Sequence, residues 1–419
     1  MIRFVIVVYL ATFVLEAPLR YLLNSVGLEM MIYLRDILLI VTILYILVQH
    51  GFRSWIEPVF WVVVGLMMFH VLVAFFNGLG VFQVLFGLKI FLPMLFFLLV
   101  YSSIKHELEK LTTPMFVLFL IACGGVYVNA LTPYPWEGLR YVVGGVEVEA
   151  SRSWYTMGIE VKRIAGLSRS SFEAGIQAML LGSFLVAFVG KPHIKVLVWL
   201  MAGAAIALTT SKGIGLAYLA LTAFLIFRMS IPNYGNMYQK AMFIPLSIVM
   251  LAPLVSGFLY EGASRLDATQ KFFFYSYIVR MEETWPRAFN LLADTGSEIF
   301  GRGIGGIGAA QKVFEGFAYN PGDNIFVYAY VSFGIFSIFY FLFVLLKSQY
   351  LVLSRGGADL FAYMCISSAL IFGLIANVID SGIFTFFLGF ALAHISGLTA
   401  KDAESRSAIW RGTTSKVHA

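Results

Sequence analysis

Apolar stretches recur along this chain from residue 2 to residue 397, most of them near the roughly 20 residues a helix needs to cross a bilayer. Only 12% of the 419 residues are charged, 60% are hydrophobic and the mean hydropathy is +0.86. A soluble domain carries about 25% charged residues. A water-soluble core of this size could not enclose so much apolar surface, so the expected solvent is lipid. In lipid the backbone must satisfy its own hydrogen bonds. The predicted fold class is therefore all-α, a polytopic transmembrane helix bundle forming a single integral membrane domain over 1–419.

Twelve spans are predicted, at about 2–17, 29–49, 56–77, 81–102, 113–130, 172–190, 194–210, 212–229, 240–260, 323–346, 359–379 and 381–397. The run from Ile194 to Phe227 is too long for one span at about 1.5 Å per residue. The polar knot Thr209-Thr210-Ser211-Lys212-Gly213 divides it into a tight hairpin, and Asp380-Ser381-Gly382 divides the last two spans in the same way. Met1-Ile2-Arg3 followed by an apolar run to Leu15 looks like a signal peptide, but it lacks a small-residue cleavage site and ends in Glu16-Ala17-Pro18. It reads as an uncleaved first span. Cys123 and Cys365 both fall inside apolar segments, against disulfides or thiolate metal sites.

Positive charge marks the cytoplasmic side of a membrane protein. With the N-terminus inside, the cytoplasmic connections hold Arg53, Lys105, Lys110, Lys191, Lys195, Arg228, Lys240, Lys347 and Arg355, and a cytoplasmic tail at 398–419 adds Lys401, Arg406, Arg411 and Lys416. Two long loops then face outward, at 131–171 and 261–322. The second is rich in aromatics (Phe272, Phe273, Phe274, Tyr275, Tyr277, Trp285) and reads as one or two helices lying on the membrane interface. These loops carry cations against the charge rule: Arg140, Arg152, Lys162, Arg163, Arg169, Arg265, Lys271, Arg280, Arg287, Arg302 and Lys312, with Lys212 at the rim of the hairpin. Cations kept on the outer face call for an anionic partner there. The net charge of +6 is scattered among spans and forms no basic tract, which argues against nucleic acid.

A guanidinium binds phosphate through two parallel hydrogen bonds, and an ammonium adds a point charge. Arg163, Arg169, Lys212, Arg280, Arg287 and Arg302 are thus candidates to hold a phosphate-bearing substrate and to stabilise a diphosphate leaving group. Glu283 and Arg287 also have the i,i+4 spacing of an ordinary surface pair. Arg35 and Asp36 read as charges neutralising neighbours inside the bundle, and Lys89 as a side chain reaching for the nearer interface. Gly301-Arg302-Gly303-Ile304-Gly305-Gly306 matches a dinucleotide fingerprint by letters, but it lacks alternating strands and helices. A flexible turn that lets backbone approach a substrate or the membrane fits it better. No histidine falls in the outward loops, which leaves Glu160, Glu173, Glu282, Glu283, Asp294, Glu298, Glu315 and Asp323 as the carboxylates available for base chemistry. Neither a metal site nor a cofactor is expected.

The pattern resembles the bacterial O-antigen polymerase and O-antigen ligase superfamily of membrane glycosyltransferases. The resemblance rests on Arg163 to Gly166 before a mid-chain span and on the Thr-Ser-Lys-Gly turn from Thr210 to Gly213. It rests also on Arg280, Trp285 and Phe300-Gly301-Arg302-Gly303-Ile304-Gly305, followed by Asn324 at the start of a span. It covers about the second half of the chain. It implies a glycan on undecaprenyl diphosphate, transferred without metal at the periplasmic face of the bacterial inner membrane. Lys212 stands where the family usually has arginine, and Arg280 matches its loop arginine. The ligases usually place a histidine before the late asparagine, where this chain has Asp323. The expected function is a polysaccharide polymerase acting on lipid-linked repeat units, with Arg280, Lys212 and Asp323 as catalytic residues. Arg163, Arg169, Arg287 and Arg302 would bind the diphosphate, and a chain-length regulator is a further candidate partner. An O-antigen ligase acting on lipid A-core and a twelve-span secondary transporter are the alternatives.

Overall fold

A computed structural model describes residues 1–50, 58–143, 146–152, 154–155, 161–230, 237, 241–255, 276–353 and 357–398. Arg53, Lys240, Arg265, Lys271, Phe272 to Tyr275, Arg355, Glu160 and the tail from 399 lie outside the described residues. The chain is mostly helical. Helices α1 (Ile2–Val14) and α2 (Glu16–Ser25) meet at a 78° bend. They are followed by α3 (Leu34–His50), α4 (Pro58–Phe76), α5 (Val81–Ile104) and α6 (Thr112–Leu131). Next come α7 (Ser171–Phe188), α8 (Pro192–Thr209), α9 (Lys212–Ser230) and α10 (Phe243–Val255). The later part holds α11 (Trp285–Thr295), α12 (Ala309–Phe314), α13 (Ile325–Phe333), α14 (Phe336–Ser348), α15 (Gly357–Gly373) and α16 (Gly382–Ser396).

Among the described residues, seven helices are long and apolar enough to cross a membrane, or eight if the bent α1–α2 pair counts as one span. Their outward surfaces stay apolar: Ile37, Val41, Leu44, Val48, Val62 and Leu72 are all exposed. Such a surface suits hydrocarbon as solvent, and the chain reads as a multi-pass membrane protein.

The count falls short of the twelve spans expected from hydropathy. The predicted span 323–346 is two short helices, α13 and α14, separated at Gly334. There the chain turns so that Ile335 N–H donates to the carbonyl of Ile299 at 2.9 Å. The spans predicted at 359–379 and 381–397 appear as α15 and α16, apolar helices of 17 and 15 residues. Of 240–260 the described part holds α10, 13 residues, while 240 and 256–260 lie outside the described residues. Hydropathy counts apolar residues and is blind to whether helical geometry runs unbroken through them.

The loop at 131–171 departs from an all-helical reading, since it holds two small antiparallel hairpins. Strand β1 (Arg140–Val143) pairs with β2 (Val146–Glu149), and β3 (Trp154–Tyr155) pairs with β4 (Lys162–Arg163). Helices α7, α15 and α16 form the core, nearly every residue of α7 and α16 being buried. Helix α16 approaches α5 so closely that a Cβ on Gly389 would lie 2.7 Å from the Cα of Met94, the small-residue contact typical of membrane helices. Cys123 and Cys365 are buried and free.

Among the described residues of the second long loop, one segment lies inside the protein. Residues 301–308 are buried, with Arg302 N–H donating to Val331 O (2.7 Å) and Ile304 N–H to His70 O (3.3 Å). Gln83 donates its side-chain amide to Gly305 O at 2.9 Å. The glycine-rich segment is therefore a wedge between α4, α5 and α13, not a flexible external turn. Trp285, expected at the membrane interface, is fully buried.

Candidate functional site

Three of the cations singled out by sequence come together. Arg163 ends β4, close to the Arg280 and Lys212 charges. Burial, with the nearby Arg280 charge, holds the Arg163 guanidinium below its ordinary range. Its Nε is buried without a hydrogen-bond partner, and its guanidinium lies 5.3 Å over the Phe172 ring.

Local structure positions each of them. Helix α8 ends at Thr210 in the left-handed conformation, φ +50°, so the polar knot does turn the chain and places Lys212 on the first turn of α9. The Arg163–Gly166 loop is pinned where Gly166 N–H donates to Asn129 Oδ1 (3.0 Å) and its carbonyl accepts from Trp136 Nε1 (3.3 Å). Arg280 opens a π-helical turn, Arg280–Thr284, that runs into α11. Such turns are uncommon and concentrate at functional sites.

Arg280 Nη1 donates to Ser276 O at 2.6 Å and also to the Ser276 hydroxyl, while its Nε lies 3.4 Å from Asp323 Oδ2. Asp323 has φ +38°, a strained conformation for a residue with a side chain. It is held there because Asn324 caps α13, accepting from Phe326 N (2.8 Å) and Val327 N (3.1 Å). On its other side Asn320 accepts from Gly322 N (2.8 Å) and donates to Thr284 O (2.8 Å), tying the Asp323 loop to the Arg280 turn. Burial raises the Asp323 carboxyl above its ordinary range, with Arg280 opposing.

Asp380, named by sequence only as part of a turn, belongs to this site. The Asp323 charge acts on it, its own charge acts on Tyr319, and its Oδ2 accepts from the Ala309 N–H at 3.2 Å. The residue is exposed, although protein surrounds much of the carboxyl. Burial pushes the carboxyl up to about 7, the Ala309 N–H and Asn377 amide opposing and Asp323 adding to the rise. No local motif announces it, because the neighbours that define its role lie some 60 to 70 positions away in the chain.

The other sequence candidates go elsewhere. Arg302 is buried in the glycine wedge, its Nη1 donating to Gly306 O (2.6 Å) and its Nη2 to Glu315 Oε2 (3.0 Å) and Oε1 (3.3 Å). Its terminal nitrogens and its charge are answered by Gly306 and Glu315, although its Nε is buried without a hydrogen-bond partner. Arg287 makes the i,i+4 pair with Glu283 (3.4 Å), and both side chains are mostly exposed. Arg287→Ala is expected to leave the melting temperature of the purified protein nearly unchanged, since exposed pairs contribute about 0–1 kcal/mol. A marked drop in melting temperature would show that Arg287 has a further partner.

Arg169 joins a second charged centre that sequence did not anticipate. Glu16 Oε1 accepts from Arg20 Nη2 (2.6 Å) and its Oε2 pairs with Arg35 Nη1 (3.1 Å). Arg20 also donates to the Tyr141 hydroxyl at 2.9 Å. Arg35 does neutralise a neighbour within the bundle, as expected of it, but Lys89 pairs with Asp36 (3.0 Å) instead of reaching for an interface. Among the described residues, no group of three or more His, Cys, Asp or Glu side chains is arranged to hold a metal ion. Comparison of the chain with known protein families, with curated proteins and with solved structures finds no match.

Proposed function

We propose that the protein is a polysaccharide polymerase of the bacterial inner membrane, transferring a lipid-diphosphate-linked glycan onto a lipid-linked repeat unit at the periplasmic face, with both termini cytoplasmic. The observation that carries this reading is the convergence of Arg163, Lys212 and Arg280 beside Asp323 and Asp380. Like charges held close together by a fold are costly unless something negative offsets them. A diphosphate bears the negative charge and the acceptor oxygens that match such a cluster.

In the transfer, a hydroxyl oxygen of the acceptor sugar forms a bond to the anomeric carbon of the donor. The bond from that carbon to the diphosphate oxygen breaks, and its electron pair leaves with the lipid diphosphate. Arg163, Lys212 and Arg280 stabilise the charge that develops on this leaving group, where fixed donors act most strongly. Asp323 orients the Arg280 guanidinium. Asp380 accepts the hydroxyl proton, a role open to a carboxylate near neutrality.

This assignment predicts a pH profile. The base form of Asp380 is required, so the transfer rate should fall as pH drops through about 7. Asp380→Asn should remove that limb and lower the rate by about a hundredfold or more. The measurement is glycan chain growth from purified lipid-linked repeat units between about pH 5.5 and about 8.5, roughly 1.5 units on either side of neutrality. An unchanged limb in Asp380→Asn would exclude Asp380 as the base. The same weakened acidity makes the fold lose stability as pH rises from 3.8 toward about 7, because over that window the folded chain holds a proton that the unfolded chain has released.

A further inference from the structure

Arg163 and Arg169 share one short loop, yet their charges act in different places. Arg163 interacts with Arg280 and Lys212, whereas the charges acting on Arg169 are those of Arg20, Glu16, Arg152 and Arg35. The backbone fixes this divergence. Leu167 O accepts from Ala17 N–H (2.9 Å), Ser168 Oγ donates to Gln177 Oε1 (2.8 Å), and Arg169 O accepts from Arg152 N–H (2.8 Å).

Arg169 Nε is buried with no hydrogen-bond partner, and among the described residues no carboxylate lies within ion-pair distance of this guanidinium. Two carboxylates act on its charge without pairing with it: Glu16 already serves Arg20 and Arg35, and Glu173 accepts from the Ser381 hydroxyl at 3.0 Å. Two further cations add to the imbalance. Arg152 has only a 3.9 Å contact to Glu149, which also pairs with Arg140 at 3.2 Å. Lys312, on α12, feels both Arg152 and Arg169 and sits 5.5 Å over the Tyr319 ring. A buried guanidinium left without an anion, among other cations, is an arrangement proteins avoid unless a ligand completes it.

We infer that Arg169, Arg152 and Lys312 form a second oxyanion subsite, separate from the Arg163–Lys212–Arg280 cluster, which holds an anionic group of the acceptor. Naming the acceptor rests on the glycan-transfer reading; the subsite itself does not. Tyr319 joins the two halves, since Lys312 lies over its ring and the charges of Asp380, Asp323 and Arg152 all act on it. Tyr319 thus feels charges from both the carboxylates and the second cluster. The oxyanion has two sources: the acceptor's own lipid diphosphate, or a phosphate or carboxylate on its sugars.

The test is binding stoichiometry on the full chain in nanodiscs of phosphatidylcholine, with farnesyl diphosphate as the probe in titration calorimetry. The wild-type protein should bind two equivalents. Arg169→Gln should retain one and weaken the other by about tenfold or more, and Arg163→Gln should show the complementary loss. Lys312→Gln, on an exposed position, supplies a variant that leaves the packed interior untouched and should weaken the same equivalent that Arg169→Gln weakens. Competition assigns the source: displacement of that equivalent by inorganic pyrophosphate alone indicates a diphosphate, and displacement by glucuronate indicates an acidic sugar. Two equivalents of unchanged affinity in both Arg169→Gln and Lys312→Gln would overturn the subsite, as would a single equivalent in the wild type that only Arg163→Gln removes. Two bound equivalents without any glycan transfer would keep the subsite and remove the polymerase instead.

Discussion

Arg280→Ala is expected to reduce glycan transfer by about a hundredfold to a thousandfold, the loss typical of removing one fixed donor to a developing anion. The guanidinium is the hub of the site: it pairs with Asp323 and lies next to Arg163. Its position depends on the π turn, because Ser276 and the Asn320–Thr284 bond hold that segment against the Asp323 loop. Arg280→Lys should recover part of the loss, since charge returns without the planar fork. Asp323→Asn should cost less than Arg280→Ala, because it loosens the guanidinium without removing it. The assay follows long-chain glycan formed from lipid-linked repeat units, with membrane levels of each variant matched. Normal chain-length ladders in Arg280→Ala would dissolve the proposed donor site.

The physical reason to expect so large an effect lies in the charges around Arg280. Arg20 has Glu16 and Tyr141, so its charge and donors are answered within the protein. Removing it should destabilise the fold without selectively slowing chemistry. Arg280 and Arg163 instead sit close together, with Asp323 as the sole ion-pair partner of Arg280 among the described residues. Electrostatic interactions left incomplete by the fold are those a ligand can complete.

Much of the helical framework was legible in the sequence, because apolar length is a direct consequence of the solvent. The α8–α9 hairpin was legible for a local reason: Thr209-Thr210-Ser211 offers hydroxyls and a left-handed residue where apolar runs would continue a helix. The i,i+4 pair of Glu283 and Arg287 was equally local. What stayed hidden depends on contacts distant in the chain. Arg20 meets Tyr141 across 121 positions, and Asp380 meets Ala309 across 71. Arg302 looked like a loop cation because nothing beside it reveals that Glu315 folds back to meet it. The α13–α14 break was hidden too, since Gly334 in an apolar run gives no hint that Ile299 packs there.

The glycine wedge carries the other large prediction, this one on stability. Gly303 has φ +85°, and a Cβ added there would lie 2.3 Å from the Ala74 nitrogen, 2.5 Å from its Cα and 2.6 Å from its Cβ. These are backbone and short side-chain atoms inside α4, so no flexible side chain can move aside. Gly303→Ala should combine left-handed strain of about 1–3 kcal/mol with overpacking of about 1–3 kcal/mol. Against a typical total stability of about 5–15 kcal/mol, that is enough to lower the melting temperature sharply and deplete the protein from membranes. Gly215→Ala is the matched control. Gly215 lies within α9 with no atom within 4 Å of its would-be Cβ, and alanine there should be neutral or stabilising by up to about 1 kcal/mol. Thermal unfolding of both variants in the same detergent decides the matter: equal melting temperatures would mean that the 301–308 segment is not wedged against α4, and the account of how the late loop enters the bundle would fail. If the difference appears, the same wedge explains how the site keeps its shape. Immediately after it, Gly308 N–H bonds to Asn320 O (3.0 Å) and Ala309 N–H to Asp380, so strain introduced at Gly303 should reach the carboxylates through a short, fully bonded path.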